Sequence, residues 1–473
     1  LDLRALALLR IFYGAIVVID ILIRATDLLA HYSDRGLAPR DFILQNYQDA
    51  WQWSIYLAHG HPLVVGALMA VAAGAGCCLA LGYRTRLSTL ICWIHLVSLH
   101  NRNSLVLDGG DPYLRVVMFW ALFLPWGARW SLDAWRTRQL PPKGWLDCPG
   151  LALLLQIGSV YFFAACLKSG IEWRVEGSAT YYALMLDQLT TPLAPWLLAS
   201  PALMKALTFA VLYFEFAVAF FLLGPPRLRW AACLGLSAMH LGFGLSLHLG
   251  VFCLVGMLTP ISLWPSRVMD RMENSPLFQR VSRTSQRWLS TTSVRENTQL
   301  ATDPRTRVVV TGLAGLMVGW NLATLPGRQL PPGYPRPLMM LLGLDQTWDM
   351  FAPKPLVEDG WYVIDGNLVN GRHVDLFRDG ADVVWSKPAR VASTYRNARW
   401  RKYMMNLWSQ KHSACRLPFG RYLTRQWNEN HSRLEQVASF EICFMLERTL
   451  PNGTSAAVEK VVIWRHLCFD PKP

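Results

Sequence analysis

Gln156-Ile-Gly-Ser-Val-Tyr-Phe-Phe-Ala-Ala-Cys-Leu-Lys168-Ser-Gly-Ile-Glu172-Trp173 is an apolar run that ends in a lysine. With the residues from Leu151 onward it approaches the length of a bilayer crossing. A cation at that depth is costly. Lys168 therefore either reaches back to the interface along its alkyl stem or does chemistry inside. Glu172, one turn on, offers the first alternative a neutralising (i, i+4) partner. Under the second, a lysine in a dry site is a candidate general base. Both alternatives stand on these residues alone.

The rest of the chain has the matching character. Of 473 residues, 52% are hydrophobic and only 16% charged, and 21 are tryptophan. This is the composition of a polytopic membrane protein that carries a soluble part. The net charge of +14 reads as arginine-rich loops rather than a nucleic-acid surface, so no nucleic-acid partner is expected. Ten cysteines follow no zinc spacing, and no metal site is expected. Cys415, Cys443 and Cys468, in the polar C-terminal part, permit one disulfide without demanding it. The chain opens at Leu1, and its first apolar run has the length of a span rather than of a cleavable signal.

Apolar stretches predict a mainly α, polytopic membrane helical bundle of about nine spans. They are 3–29, 61–81, 87–99, 113–125, 151–168, 202–223, 230–247, 250–264 and 308–325. The third, fourth and eighth are short, so they must tilt, borrow polar residues or lie inside the bundle. The stretch 181–199, broken by Asp187, Gln188, Pro192 and Pro195, reads as an interfacial or re-entrant piece. Alternate loops divide by charge. One set holds Arg84, Arg86, Arg129, Arg136, Arg138, Lys143, Arg227 and Arg229; the other is poorer in basic residues. The positive-inside rule then predicts a cytoplasmic N-terminus and an extracytoplasmic C-terminal part, periplasmic or lumenal. The expected organisation is a transmembrane domain at 1–270, a basic cytoplasmic linker at 271–306, a last transmembrane helix at 307–325 and a small α+β domain at 326–473.

In that last domain Gly360–Ile364, Asp382–Trp385, Ser439–Arg448 and Val458–Trp464 read as strands, and Tyr395–Trp427 as basic helix. The linker residues Asn274–Thr306 lack apolar periodicity. Asn430-His-Ser and Asn452-Gly-Thr match the glycosylation sequon.

Several polar residues sit where they are expensive. Asp20 and Arg24 are four apart, which suits a buried ion pair. Glu215 has no partner on its own helix and must face the bundle interior. His240 shares a helix stripe with Gly244 and His248, and packing competes there with proton work. Two loops, His31–Arg40 and His100–Asp111, are unusually polar. Turn chemistry explains their Asp-Gly and Gly-Gly steps, with Asp111 as a helix cap. A polar mouth above a membrane cavity explains them equally well.

Taken in order, these pieces resemble the HTTM domain shared by vitamin K-dependent gamma-glutamyl carboxylases and their bacterial relatives, over roughly 2–270. The carriers are Tyr32-Ser-Asp-Arg-Gly36, Leu81-Gly-Tyr-Arg84, Asn101-Arg-Asn103 with Asp108-Gly-Gly-Asp111, and Arg129-Trp-Ser-Leu-Asp133. Tyr161-Phe-Phe-Ala through Lys168, Trp173, and His240 with Leu249-Gly-Val-Phe252 complete the set. The resemblance implies that Lys168 is the base that deprotonates reduced vitamin K or menaquinol. It implies Glu215 and His240 as catalytic partners, and O2 and CO2 as co-substrates in a carboxylation coupled to quinol epoxidation. Asn101, Arg102, Asn103, Asp108, Asp111, Tyr161 and Trp173 would then bind the cofactor.

There are departures. Asp111 stands before Pro-Tyr-Leu where the animal enzyme has histidine before Ser-Tyr-Leu, and Phe243 replaces an asparagine. Trp348-Asp-Met-Phe-Ala-Pro353 resembles a segment that follows HTTM domains in bacterial proteins. The expectation is an integral membrane enzyme among membrane lipids, acting on a peptide or protein outside. The rival is a non-catalytic membrane component that binds or matures an exported peptide.

Overall fold

A computed structural model describes residues 1–137, 139–140, 142–276, 278–280, 295–296, 300–451 and 454–468. Half of the expected linker, and Asn452 and Gly453 of the second sequon, lie outside these residues. The bundle helices are α1 (Leu3–Thr26), α2 (Pro62–Leu81), α3 (Thr85–Arg102), α4 (Gly110–Ala121), α5 (Cys148–Leu167) and α6 (Pro201–Leu223). After them come α7 (Pro226–Ser246), α8 (Phe252–Leu258), α9 (Ser266–Glu273) and α10 (Pro304–Ala323). Their starts are written locally. Proline occupies the first turn of α2, α5, α6, α7 and α10, where its missing N–H costs nothing. Asp2, His61, Asp147, Ser200 and Asp303 cap α1, α2, α5, α6 and α10 with a side-chain acceptor.

Among the described residues five helices (α1, α2, α5, α6 and α10) are long and apolar enough to cross a membrane. The bent stretch Phe252–Leu263 with α9 makes up to a sixth, against about nine expected. The difference lies in the polar and short segments. Helix α3 is completed by Ser88, Thr89, His95, His100 and Arg102, all buried. Helix α4 has only 12 residues, and 11 of them are buried. Both are shielded by neighbours and need no apolar exterior. Helix α1 packs closely on α2 where Gly14 meets Gly76: a Cβ on Gly14 would lie 2.5 Å from the Ala80 nitrogen. Helix α5 is sandwiched by α6 and α10.

Loop residues gather at two ends of the bundle. At one, Arg4 pairs with Asp2, Asp270 and Glu273, and the Trp145 indole donates to the Leu300 carbonyl. At the other lie Arg102, whose guanidinium donates to the Ala38 and Tyr32 carbonyls, and the whole C-terminal domain. The stretch 181–199 is broken as expected, into Ala179–Leu184 and Ala194–Leu198, and Thr190 bridges to Leu247.

The C-terminal domain is an antiparallel sheet of β1 (Glu358–Leu368), β2 (His373–Asp375), β3 (Val437–Arg448) and β4 (Glu459–Leu467), in the order β2-β1-β3-β4. Helices α11 (Ala398–Trp408) and α12 (Arg416–Asn428) share its core, where Tyr403, Met404 and Phe419 join Tyr362 and Phe444. The expected strand at Asp382–Trp385 is not formed. The chain turns through Asp379 and Gly380, both at positive φ, and Trp385 takes the Lys460 ammonium over its ring instead. Cys415, Cys443 and Cys468 are unpaired.

Candidate active site

Lys168 does not reach outward. It closes α5 as the C-cap residue with φ −72° and ψ 70°, which turns the chain away before Glu172. The (i, i+4) geometry is thereby lost, and no Lys168–Glu172 ion pair forms. Glu172 opens a separate π-helical turn instead. Lys168 Nζ donates to Glu215 Oε2 at 2.6 Å, from α5 to α6. Lys168 is 3% exposed and Glu215 5%. Sequence reasoning placed Glu215 inward; its partner, 47 residues away, is supplied by helix packing.

The Trp173 ring lies 5.3 Å from Lys168 Nζ, within cation–π reach. Its indole N–H donates to the Phe351 carbonyl at 2.9 Å, and the Gly170 N–H donates to the Pro353 carbonyl at 2.9 Å. The Trp348–Pro353 segment thus lies over the lysine turn. The Phe351 ring packs against both the Trp173–Leu212 cluster and the Leu186–Leu247 cluster. Arg174 folds back to donate to the Lys168 and Ala165 carbonyls, which satisfies the helix end. Close by, Glu172 Oε2 is buried without a hydrogen-bond partner.

His240 is fully buried, with the Tyr161 hydroxyl 2.8 Å from its Nε2. Tyr161 precedes Lys168 by two turns, so it shares the lysine's face of α5. A Cβ on Gly256 would overlap the His240 ring, so that glycine is what admits the histidine.

The side chains of the expected polar mouth are engaged in bonds of their own. Asn101 donates to the Trp53 carbonyl, and Asn103 donates to the His31 carbonyl. Arg102 is fully buried on backbone carbonyls. These three pin loops and are not gathered around Lys168. Asp108 caps α4 through the Gly110 N–H, and Asp111 in turn accepts from the Asp108 N–H at 2.7 Å. Burial and the neighbouring Asp111 push the Asp108 carboxyl up to about 6.

Asp111 belongs to a buried four-charge cluster. The Asp20–Arg24 pair forms as expected, at 2.7 Å. Arg24 also donates to Asp111 at 2.5 Å and to the Tyr32 hydroxyl at 2.6 Å. Arg399, from α11, donates to Asp20 and Asp111 at 2.8 Å each and to the Val106 carbonyl at 3.0 Å. Sequence reasoning missed Arg399 among the basic residues of Arg396–Lys402. The signal was its spacing: Arg399, Tyr403 and Leu407 form one buried stripe.

A further interdomain bond set surrounds this clamp. Asp27 receives Arg396, Asn397 and the Trp400 indole. Asp359, on β1, accepts from the Asp187 N–H at 2.5 Å and the Gln188 amide at 2.8 Å; burial pushes its carboxyl up to about 6.

No curated protein and no solved structure matches the chain. The HTTM domain model does match it, over residues 1–265, a span that holds Lys168, Glu215, His240 and every residue of the expected mouth. A match over more than half of the chain places this protein in the HTTM domain family, the domain of vitamin K-dependent carboxylase-like proteins.

Proposed function

We propose that this protein is an integral membrane enzyme of carboxylase-like chemistry, with Lys168 as its base toward a quinol-type cofactor. A peptide or other exported molecule is the substrate. The observation that carries the reading is the buried Lys168–Glu215 hydrogen bond at the end of an apolar helix.

In this buried site the Nζ–Oε2 hydrogen bond gives a Lys168 proton a path to the carboxylate. Moving it onto Glu215 leaves Lys168 with a free lone pair. That is the state in which an amine accepts a proton. The donor set suits a reduced quinone. Lys168 offers the base, the Trp173 face an aromatic wall, and the partnerless Glu172 Oε2 an acceptor for a second hydroxyl. When bound, such a quinol supplies an acidic hydroxyl and electrons for O2, with CO2 the co-substrate if carboxylation is retained. Tyr161 and His240, two turns deeper, extend the polar line, and the segment over Lys168 keeps bulk water from the amine.

The orientation that fits places the basic loops in the cytoplasm and the C-terminal domain outside. Nine crossings are our count when α3, α4, α7 and the α8 stretch are added to the five long helices.

The decisive variant is Lys168→Arg, which keeps the cation and its partner but cannot give up its proton. It is assayed with Lys168→Ala for epoxide formation from reduced vitamin K or menaquinol, and for CO2 incorporation into peptide. Loss of turnover in both, with wild-type melting in the arginine variant, supports the reading. Full turnover by Lys168→Ala ends it in favour of a non-catalytic peptide-binding role. Extraction and mass spectrometry of the purified protein for bound quinone is the accompanying measurement.

A further inference from the structure

A cavity of about 910 Å³ lies between the end of α7, the broken 187–195 stretch and residues 387–401 of the C-terminal domain. That is the size of a small-molecule site, about 300–1,000 Å³. Lys168 does not line it; Leu247 and Leu249 do, and Phe351 packs in the same apolar cluster as those two. The cavity therefore neighbours the lysine site without belonging to it.

Its charge is unbalanced. The lining holds three cations, Lys387, Arg390 and Arg401, and one acid, Asp187. Lys387 is already engaged, by Asp187 and Glu447 at 2.5 Å each. Arg390 is exposed, and Arg401 is 7% exposed. Among the described residues neither guanidinium forms an ion pair. Arg401 donates through Nη2 to the His248 carbonyl, which leaves most of its five donors for another acceptor. Burial holds the Arg401 guanidinium below its usual range, with Asp108 acting weakly against that. Asp108 itself lies at the Gly250 rim, 3.9 Å from Arg399. A buried arginine without a carboxylate is a site that gains from an anion.

The lining also holds the polar residues Thr190, Thr191, His248, Ser393, Tyr395 and Asn397, and its apolar part is carried by leucine and proline. Leu247, Leu249 and Leu254 form one wall, and Pro192 and Pro195 another. Just outside, Leu193, Trp196, Leu241 and Leu245 are exposed, Trp196 by 80%. An exposed tryptophan beside such leucines suits the boundary between lipid and water.

We infer that this cavity binds an anionic amphiphile of the membrane, a phospholipid whose phosphate head sits on Arg401 and whose tail follows Leu247, Leu249 and Leu254. Arg390 stands at the opening as the second, exposed cation. This goes beyond the reading of Lys168 and does not depend on it.

The test uses the full chain in nanodiscs of POPC with POPG as the minority lipid, followed by native mass spectrometry of the released protein. Wild type is expected to retain one POPG in preference to POPC. Arg401→Gln should weaken that retention at least about tenfold, the loss expected of a charge-assisted hydrogen bond. Ala389→Trp, at an exposed lining position, obstructs the cavity and keeps Arg401 itself, and it should also weaken retention. It serves as the independent variant if Arg401→Gln does not fold. An excess of inorganic phosphate should leave the POPG in place. Retention unchanged in Ala389→Trp, equal retention of POPC and POPG, or displacement by inorganic phosphate alone would each overturn the inference.

Discussion

Two buried charge clusters lie toward the same end of this bundle and are built in opposite ways. The Asp20–Arg24–Asp111–Arg399 clamp balances two carboxylates against two guanidiniums, and Tyr32 and the Val106 carbonyl add further bonds. The Lys168–Glu215 pair has one hydrogen bond, with an indole face beside it. A saturated network holds its protons and its geometry. A sparse pair leaves donors and acceptors over for a further partner. Residue type alone does not separate the two; coordination does.

The comparison breaks most readily at Arg399. Replacing it by Met leaves Asp20 and Asp111 sharing one cation in a fully buried site. The expected cost is about 3–5 kcal/mol, the range for an uncompensated buried charge. Limited proteolysis should show the C-terminal domain cleaved at a protease concentration that spares wild type; equal resistance would make the clamp dispensable.

At the sparse pair, Lys168→Met should cost about 3 kcal/mol by stranding Glu215, whereas the Lys168→Met, Glu215→Leu double variant should recover most of it. Melting temperatures close that cycle, and both variants should be inactive. Recovered activity in the double variant would show that the pair is structural.

The clamp's surroundings carry a pH signature. His31 is buried without side-chain hydrogen bonds, its ring 4.8 Å from that of Trp400, and burial pushes its pKa down to about 3. The unfolded chain protonates near 6.5 and the native state does not. Stability is therefore fully present above pH 6.5 and is lost as pH falls toward 3, by up to about 1.4 kcal/mol per unit. His31→Phe should flatten this slope in melts taken between pH 6.5 and pH 4.5. An unchanged slope would assign it to other groups.

The smallest effect is expected at Trp173→Phe. It keeps a ring beside Lys168 but removes the donor to the Phe351 carbonyl, at about 1 kcal/mol. Hydrogen exchange at Phe351 and Ala352 should speed up; unchanged protection would mean that this bond does not hold the segment down.

Much of this was legible in the residues. Apolar length marked the long helices, runs rich in β-branched and aromatic residues marked β1, β3 and β4, and a lone acid on an apolar helix marked Glu215 as inward. Spacing also gave the Asp20–Arg24 pair. The loops 31–40 and 100–111 were legible as unusually polar, but what their side chains bind was not. Their side chains are consumed in pinning backbone and in receiving Arg399, and local sequence does not register a partner hundreds of positions away. Phe351 was illegible for another reason. It meets Trp173 through a carbonyl, which every residue possesses, so no side-chain pattern announces it. The Lys168–Glu172 pairing failed because helix periodicity was extended past the residue where the helix ends.

The clamp also orders events in time. Asp20 emerges from the ribosome 379 residues before Arg399. Until that arginine arrives, the half-built bundle holds two carboxylates against one guanidinium, a net negative charge awaiting its counterion. The C-terminal domain thus supplies the charge that completes α1, and a chain shortened before α11 would carry that debt permanently.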